Sequence, residues 1–222
     1  MDLRKDFDTK TLAGQLRQPE GSLGIKVGEN MNKGNRLMNL ETIKQLEVTG
    51  NDNILEIGMG NGFFVKDIIA SAKNVHYTGC DFSETMIKEA TELNSSLSSN
   101  ARFILSDARH LPFNDASFDK VFTINTIYFW EDATQILNEV SRVLRPNGIF
   151  IVTLRPKYVM DQLPVVKHGF TTFTKDEAVM LLVQHNFKTV YESESDDIEI
   201  KVDDRMIRNA FLVIKAQKKS EI

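Results

Sequence analysis

A chain of 222 residues with 41% hydrophobic and 26% charged content suits a folded protein of one domain, or of one domain with an appendage. Its formal charge of −4, from 27 Lys+Arg against 31 Asp+Glu, lacks the basic excess that a duplex-binding protein uses to neutralise phosphates. No apolar run approaches the ~18 residues of a membrane-spanning helix, the single cysteine, Cys80, excludes an internal disulfide, and no Cys/His cluster has zinc spacing.

The first residues, 1–8, mix charges of both signs and do not resemble a secretory signal, so the expectation is a cytoplasmic protein with no metal and no nucleic-acid partner. Gly21, Gly24, Gly28 and Gly34 interrupt the first 50 residues, where only Leu37, Leu40, Ile43 and Leu46 form a clear helical stripe. Residues 1–50 are read as a cap on a main domain of residues 51–222. Glycines beside apolar Leu23, Ile25, Val27 and Met31 predict that this cap acts as a lid.

From residue 52 onward, short apolar runs alternate with helical patterns. Strands are expected at 53–57, 75–80, 102–105, 118–124 and 149–154. Ser83 is placed to cap a helix carrying Met86, Ile87, Ala90 and Leu93, and a later helix carries Ile136, Leu137, Val140 and Val143 before Pro146 and Gly148 stop it. Thr174 and Glu177 have the spacing of a capping box. Two more strands are expected at 188–192 and 210–214, and the acidic stretch 192–199 between them is read as an exposed loop. A connection without a crossover helix makes that pair antiparallel. The predicted fold is α/β: a doubly wound, Rossmann-like, seven-stranded and mostly parallel sheet with its last strand antiparallel and helices on both faces.

The chemistry concentrates where the first strand runs into Glu56-Ile-Gly58-Met59-Gly60-Asn-Gly62. Glycines between a strand and a helix let the backbone approach a ligand, and the helix N-terminus adds N–H donors. The third position of a dinucleotide fingerprint is Phe63, and an acid stands two residues before the first glycine. A carboxylate there repels a pyrophosphate and attracts an ammonium or sulfonium. Asp81 ends the second strand near the ~20-residue offset at which an acid meets ribose hydroxyls. Asp107 ends the third, where a carboxylate can accept from an exocyclic amine.

Together these residues resemble the class I S-adenosylmethionine-dependent methyltransferases. The likeness rests on Leu55-Glu-Ile-Gly-Met-Gly-Asn-Gly62, Cys80-Asp-Phe-Ser83 with Met86, Ser106-Asp-Ala108 with Leu-Pro-Phe, Ser117-Phe-Asp-Lys-Val121 and Arg142-Val-Leu-Arg-Pro-Asn-Gly148. It covers residues 53–154 and is greatest to the ubiquinone/menaquinone-biosynthesis-type branch, whose members include many of unassigned substrate. The resemblance implies S-adenosylmethionine as cofactor, S-adenosylhomocysteine as product and a small-molecule methyl acceptor. It places Glu56, Gly58 and Gly60 along the methionine part, Asp81 on the ribose and Asp107 with Ala108 at the adenine, and it adds Met59, Phe82 and Met86 to the cofactor-binding residues. Asn125 falls near the methionine end or the acceptor. Residues 125–128 stand where adenine and glutamine methyltransferases carry two prolines, both absent here. For a general base the candidates are His168 and Tyr128, and residues 155–173 are expected to border the acceptor. A protein or RNA methyltransferase and a non-catalytic cofactor-binding subunit remain the alternatives.

Overall fold

In the computed structural model, residues 7–202 and 205–219 are described. Three N-terminal helices, α1 (Thr9–Arg17), α2 (Gly21–Gly34) and α3 (Arg36–Leu46), precede β1 (Asn53–Ile57). Then follow α4 (Val65–Ala70), β2 (His76–Asp81), α5 (Glu84–Leu93), β3 (Ala101–Leu105), β4 (Phe118–Ile124), α6 (Ala133–Val143), β5 (Leu144–Leu154), α7 (Lys157–Met160), α8 (Lys175–Gln184), β6 (Phe187–Val202) and β7 (Arg205–Lys218). The seven strands form one sheet in the order β3-β2-β1-β4-β5-β7-β6. β1 to β5 run parallel, and β7 inserts antiparallel between β5 and β6. The strand order reverses at β1 and β4, and in open α/β sheets the crevice at such a switch point, beyond the carboxyl ends of the strands, takes the ligand.

Period-two alternation sorts the side chains of each strand into the two covering layers. Leu55 and Ile57 of β1 join Phe150, Val152 and Leu154 of β5 beneath α6 and α8. Ile54, Phe122 and Ile151 join Met38 and Leu46 of α3 and Val65 and Ile68 of α4 on the opposite face. The expected caps form: Ser83 accepts from the Met86 N–H, and Thr174 and Glu177 close a reciprocal capping box.

Three readings change. Gly21 to Gly34 is one continuous helix, because its glycines are contact points: a Cβ on Gly24 would lie 2.5 Å from the Pro19 carbonyl carbon, and one on Gly28 3.3 Å from the Met86 sulfur. In α3 the buried face is Met38, Thr42 and Leu46, while Leu37 and Leu40 face outward. Thr42 belongs to the core because its hydroxyl meets that of Thr153 at 2.7 Å while also donating to the Met38 carbonyl. The acidic stretch 192–199 is strand, not loop. β6 and β7 pair out to Val202 and Arg205, well past the last β5–β7 pair, Leu154 with Leu212. The projecting hairpin neutralises its acids: Arg208 pairs with Glu194 and Asp196, Lys175 with Glu192, and the Arg155 guanidinium with Asp197 at 3.0 Å.

Besides α3, which packs directly on the sheet, α1 and α2 are also tied to the main domain. α1 and α2 share a small apolar cluster, Leu12, Ala13 and Val27, with Val165 of the segment after β5. Their connecting elbow is held at the end of β2, where Ser83 Oγ donates to the Pro19 carbonyl, Gln18 Nε2 to the Phe82 carbonyl and the Gly21 N–H to Thr85 Oγ1. Among the described residues no helix is long and apolar enough to cross a membrane.

Candidate active site

The turn after β1 places three successive glycines, Gly58, Gly60 and Gly62, at φ of +72°, +59° and +66°. At Gly58 no side chain fits: a Cβ would sit 2.3 Å from Thr126 Cγ2, in the loop after β4. The missing atom lets the turn lie directly against that loop. The Gly58 N–H donates to the Cys80 carbonyl at 2.8 Å, tying the turn to β2.

Asp81 completes that tie. One of its carboxylate oxygens accepts the Gly60 N–H at 3.0 Å, the other the Ser83 N–H at 3.0 Å. A single side chain therefore sets the relative position of the turns after β1 and β2. Burial pushes its carboxyl up to about 6, against the opposing pull of the N–H donors.

In front of these turns lies an open-mouthed cleft with a cavity volume of about 180 Å³. The ends of β1 to β4 form its floor, and Leu16, Arg17 and Met31 of the cap close it from above. Asp107, on the wall after β3, is gripped by Arg109 through two side-chain nitrogens and the backbone N–H, and this guanidinium holds its carboxyl below the usual range. Asn125 adopts φ +57°, with its N–H on the Thr153 carbonyl at 2.9 Å. Across the mouth, Arg17 pairs with Glu131 at 2.5 Å.

A polar side chamber opens behind Gly58 and Gly60, lined by Glu56, Asn61 and three asparagines of the cap, Asn32, Asn35 and Asn39. Glu56 is 7% exposed and accepts from the Tyr77 hydroxyl at 2.5 Å. Gly79 makes room for that contact, since a Cβ there would come within 2.9 Å of the Tyr77 oxygen and 2.2 Å of the Met59 sulfur. Among the described residues no Lys or Arg pairs with Glu56, and burial pushes its carboxyl up to about 8. Nor do any three His, Cys, Asp or Glu among them form a group that could hold a metal.

Most of the residues expected at a cofactor converge. Gly58, Gly60, Asp81, Phe82, Asp107, Ala108 and Asn125 line the main cleft, and Glu56 and Met59 line the chamber. Met86 does not reach either; it is fully buried under Gly28, so its side chain packs the cap onto α5. Neither expected base comes to the cleft wall. The Tyr128 hydroxyl is held inside the protein by Asn125 Oδ1 at 2.9 Å and by the Arg155 backbone. His168 Nε2 sits 3.0 Å from Thr9 Oγ1, on the outer side of the cap. The next two residues after Tyr128, Phe129 and Trp130, do line the cleft. Met31 belongs to the apolar set expected of the cap, whereas Arg17, Thr126 and Glu131 were not anticipated there. The glycine at 58 offered one clue, since it implied a close neighbour, but not that the neighbour was Thr126.

Comparison with known proteins agrees with this geometry. A family described as "Methyltransferase domain" matches residues 55–152. The uncharacterized methyltransferase YdaC of Bacillus subtilis is 32% identical over 123 residues, 55% of this chain and 67% of that protein. The fatty-acid O-methyltransferase of Mycolicibacterium smegmatis is 29% identical over 156 residues, 69% of this chain and 56% of the relative. The match spans about half to two thirds of such relatives. A solved S-adenosylmethionine-dependent methyltransferase of Methanosarcina mazei superposes with a TM-score of 0.66 at 23% identity, over 81% of this chain and 98% of the other, which is a likeness of fold.

Proposed function

This chain belongs to the class I S-adenosylmethionine-dependent methyltransferases, and from that premise we propose that it methylates a small-molecule acceptor admitted at the mouth of the cleft. The observation that carries the reading is the buried Glu56 carboxyl, which has a neutral phenol and no cation for a partner. Burying such a group is costly unless a positive charge completes it, so the chamber suits a cationic ligand and disfavours a pyrophosphate. Beside it, Gly60 has nothing within 4 Å of its absent Cβ and leaves room for a ligand against the backbone.

On this reading Glu56, Gly58, Met59 and Gly60 bound the amino-acid end of the donor, Asp81 and Phe82 the ribose, and Asp107 and Ala108 the adenine. Asn125 stands at the reacting end. The bound donor supplies an activated methyl group on a sulfonium. The chain's own contribution is to align the two reactants and exclude water from between them, and no base is required unless the acceptor must lose a proton. Leu16, Met31, Phe129 and Trp130 make the acceptor side largely apolar, which favours an acceptor with an apolar body. The relationship to a fatty-acid O-methyltransferase is consistent with that choice.

Calorimetry with S-adenosylhomocysteine and with NAD tests the donor: the first should bind and the second should not, and the reverse result overturns the reading. Incubation with isotopically labelled donor and a metabolite extract, followed by mass spectrometry, identifies the acceptor. Label appearing only on protein or RNA would overturn the small-molecule assignment.

A further inference from the structure

The three asparagines of the side chamber are arranged for one kind of ligand group. Asn32 lies near the end of α2, Asn35 at its junction with α3, and Asn39 in the first turn of α3, and all three line the chamber together with Glu56. Their hydrogen bonds are unequal. Arg155 Nη2 donates to Asn35 Oδ1 at 3.4 Å, and since a guanidinium can only donate, the Asn35 amide turns its oxygen to Arg155 and leaves its NH2 free of that contact. Asn39 spends one N–H on the Asn35 carbonyl at 2.9 Å and keeps the other. Asn32 makes no side-chain hydrogen bond among the described residues. The chamber thus brings several free amide donors together with a carboxyl, with no Lys or Arg among its lining residues.

An α-amino acid is the group that matches both kinds of lining, with its ammonium for Glu56 and its carboxylate for the amides. We propose that Asn32, Asn35 and Asn39 form the subsite for the α-carboxylate of the donor's amino-acid end, with Arg155 as the positioning residue that turns the donor face of Asn35 inward. This deepens the donor reading above and rests on it. Arg155 is suited to that task because it is anchored on every side. Its guanidinium also donates to the Gly34 carbonyl at 2.9 Å, to Asn209 and to Asp197. The projecting β6–β7 hairpin, which supplies Asn209 and Asp197, thereby supports the chamber from behind.

The test compares three ligands by calorimetry on the full chain: S-adenosylhomocysteine, its analogue lacking only the carboxylate, and 5′-methylthioadenosine, which lacks the whole amino-acid end. The unmodified protein should prefer S-adenosylhomocysteine over the decarboxylated analogue by about tenfold or more, as expected for hydrogen bonds to a charged group. Asn32→Ala and Asn35→Ala should each erode that preference, and Asn32→Asp should weaken S-adenosylhomocysteine about tenfold or more through repulsion. All three should bind 5′-methylthioadenosine as the unmodified protein does, which also shows that they are folded. Unchanged discrimination in the variants, or none in the unmodified protein, overturns the carboxylate subsite while leaving the donor assignment intact. Failure of the unmodified protein to bind any of the three ligands overturns the donor assignment itself, and the subsite with it.

Discussion

At Glu56 the chain keeps a carboxyl in a place where water does not reach it, and that has a measurable cost. In the unfolded chain the group titrates near 4.5, whereas in the folded protein burial moves it to about 8. Between these values the folded state holds a proton that the unfolded state releases, so stability from this group falls as pH rises from about 4.5 to about 8. Thermal melts of the ligand-free protein should therefore give a lower Tm at pH 8 than at pH 6.5, and Glu56→Gln should flatten that slope. An unchanged slope in the variant would locate the titration elsewhere. Tyr128 separates a structural from a chemical role. Tyr128→Phe removes the acceptor of the buried Arg155 N–H and should destabilise the fold by about 1–3 kcal/mol. Methyl transfer per folded molecule should be nearly unchanged, whereas loss of a true general base costs about 10²–10⁴-fold. Single-turnover assays beside denaturant melts distinguish the two.

In the N-terminal helices, glycines of one composition serve opposite purposes. Gly14 lies inside α1 with nothing within 4 Å of its absent Cβ, so Gly14→Ala should stabilise the protein by about 0.5–1 kcal/mol through helix propensity. Gly24 lies in α2 against the Pro19 backbone, so Gly24→Ala should lower the Tm despite the same gain in propensity. Equal shifts in both variants would mean that α2 does not pack against the elbow as described. The β6–β7 hairpin shows a related effect in strands. Its acids looked like a loop because the charged run hides the period-two pattern, but Ser193, Ser195 and Asp197 alternate with more exposed Glu192, Glu194 and Asp196. Cross-strand partners, Arg208 above all, decide that segment.

For the molecule as a whole, the cap and the cleft are coupled at the end of β2. The elbow between α1 and α2 is bonded to Phe82, Ser83 and Thr85, next to the Asp81 that holds the glycine turn, and Arg17 reaches Glu131 across the mouth. A donor bound against Asp81 would stabilise the same contacts that hold the cap down. Hydrogen exchange across residues 9–34 should slow when S-adenosylhomocysteine is added. Full protection in the free protein, unchanged by ligand, would make the cap a static part of the core.

The doubly wound sheet, its reversed strand and the placement of Asp81 and Asp107 at one cleft, with Glu56 in the chamber beside it, were legible in the chain, because they follow from local signals: apolar runs of strand length, glycines at a strand end, and acids at matching ends of parallel strands. Where Met86, Tyr128 and His168 point was not legible, since a side chain's neighbours depend on elements distant in sequence. Tyr128 faces Arg155 and His168 faces Thr9, while Phe129 and Trp130, beside Tyr128 in the chain, face the cleft. The polar chamber has the same origin. Asn32, Asn35 and Asn39 are unremarkable in a helical segment, and only the folded chain brings them to the same chamber as the buried Glu56 and the glycine turn after β1.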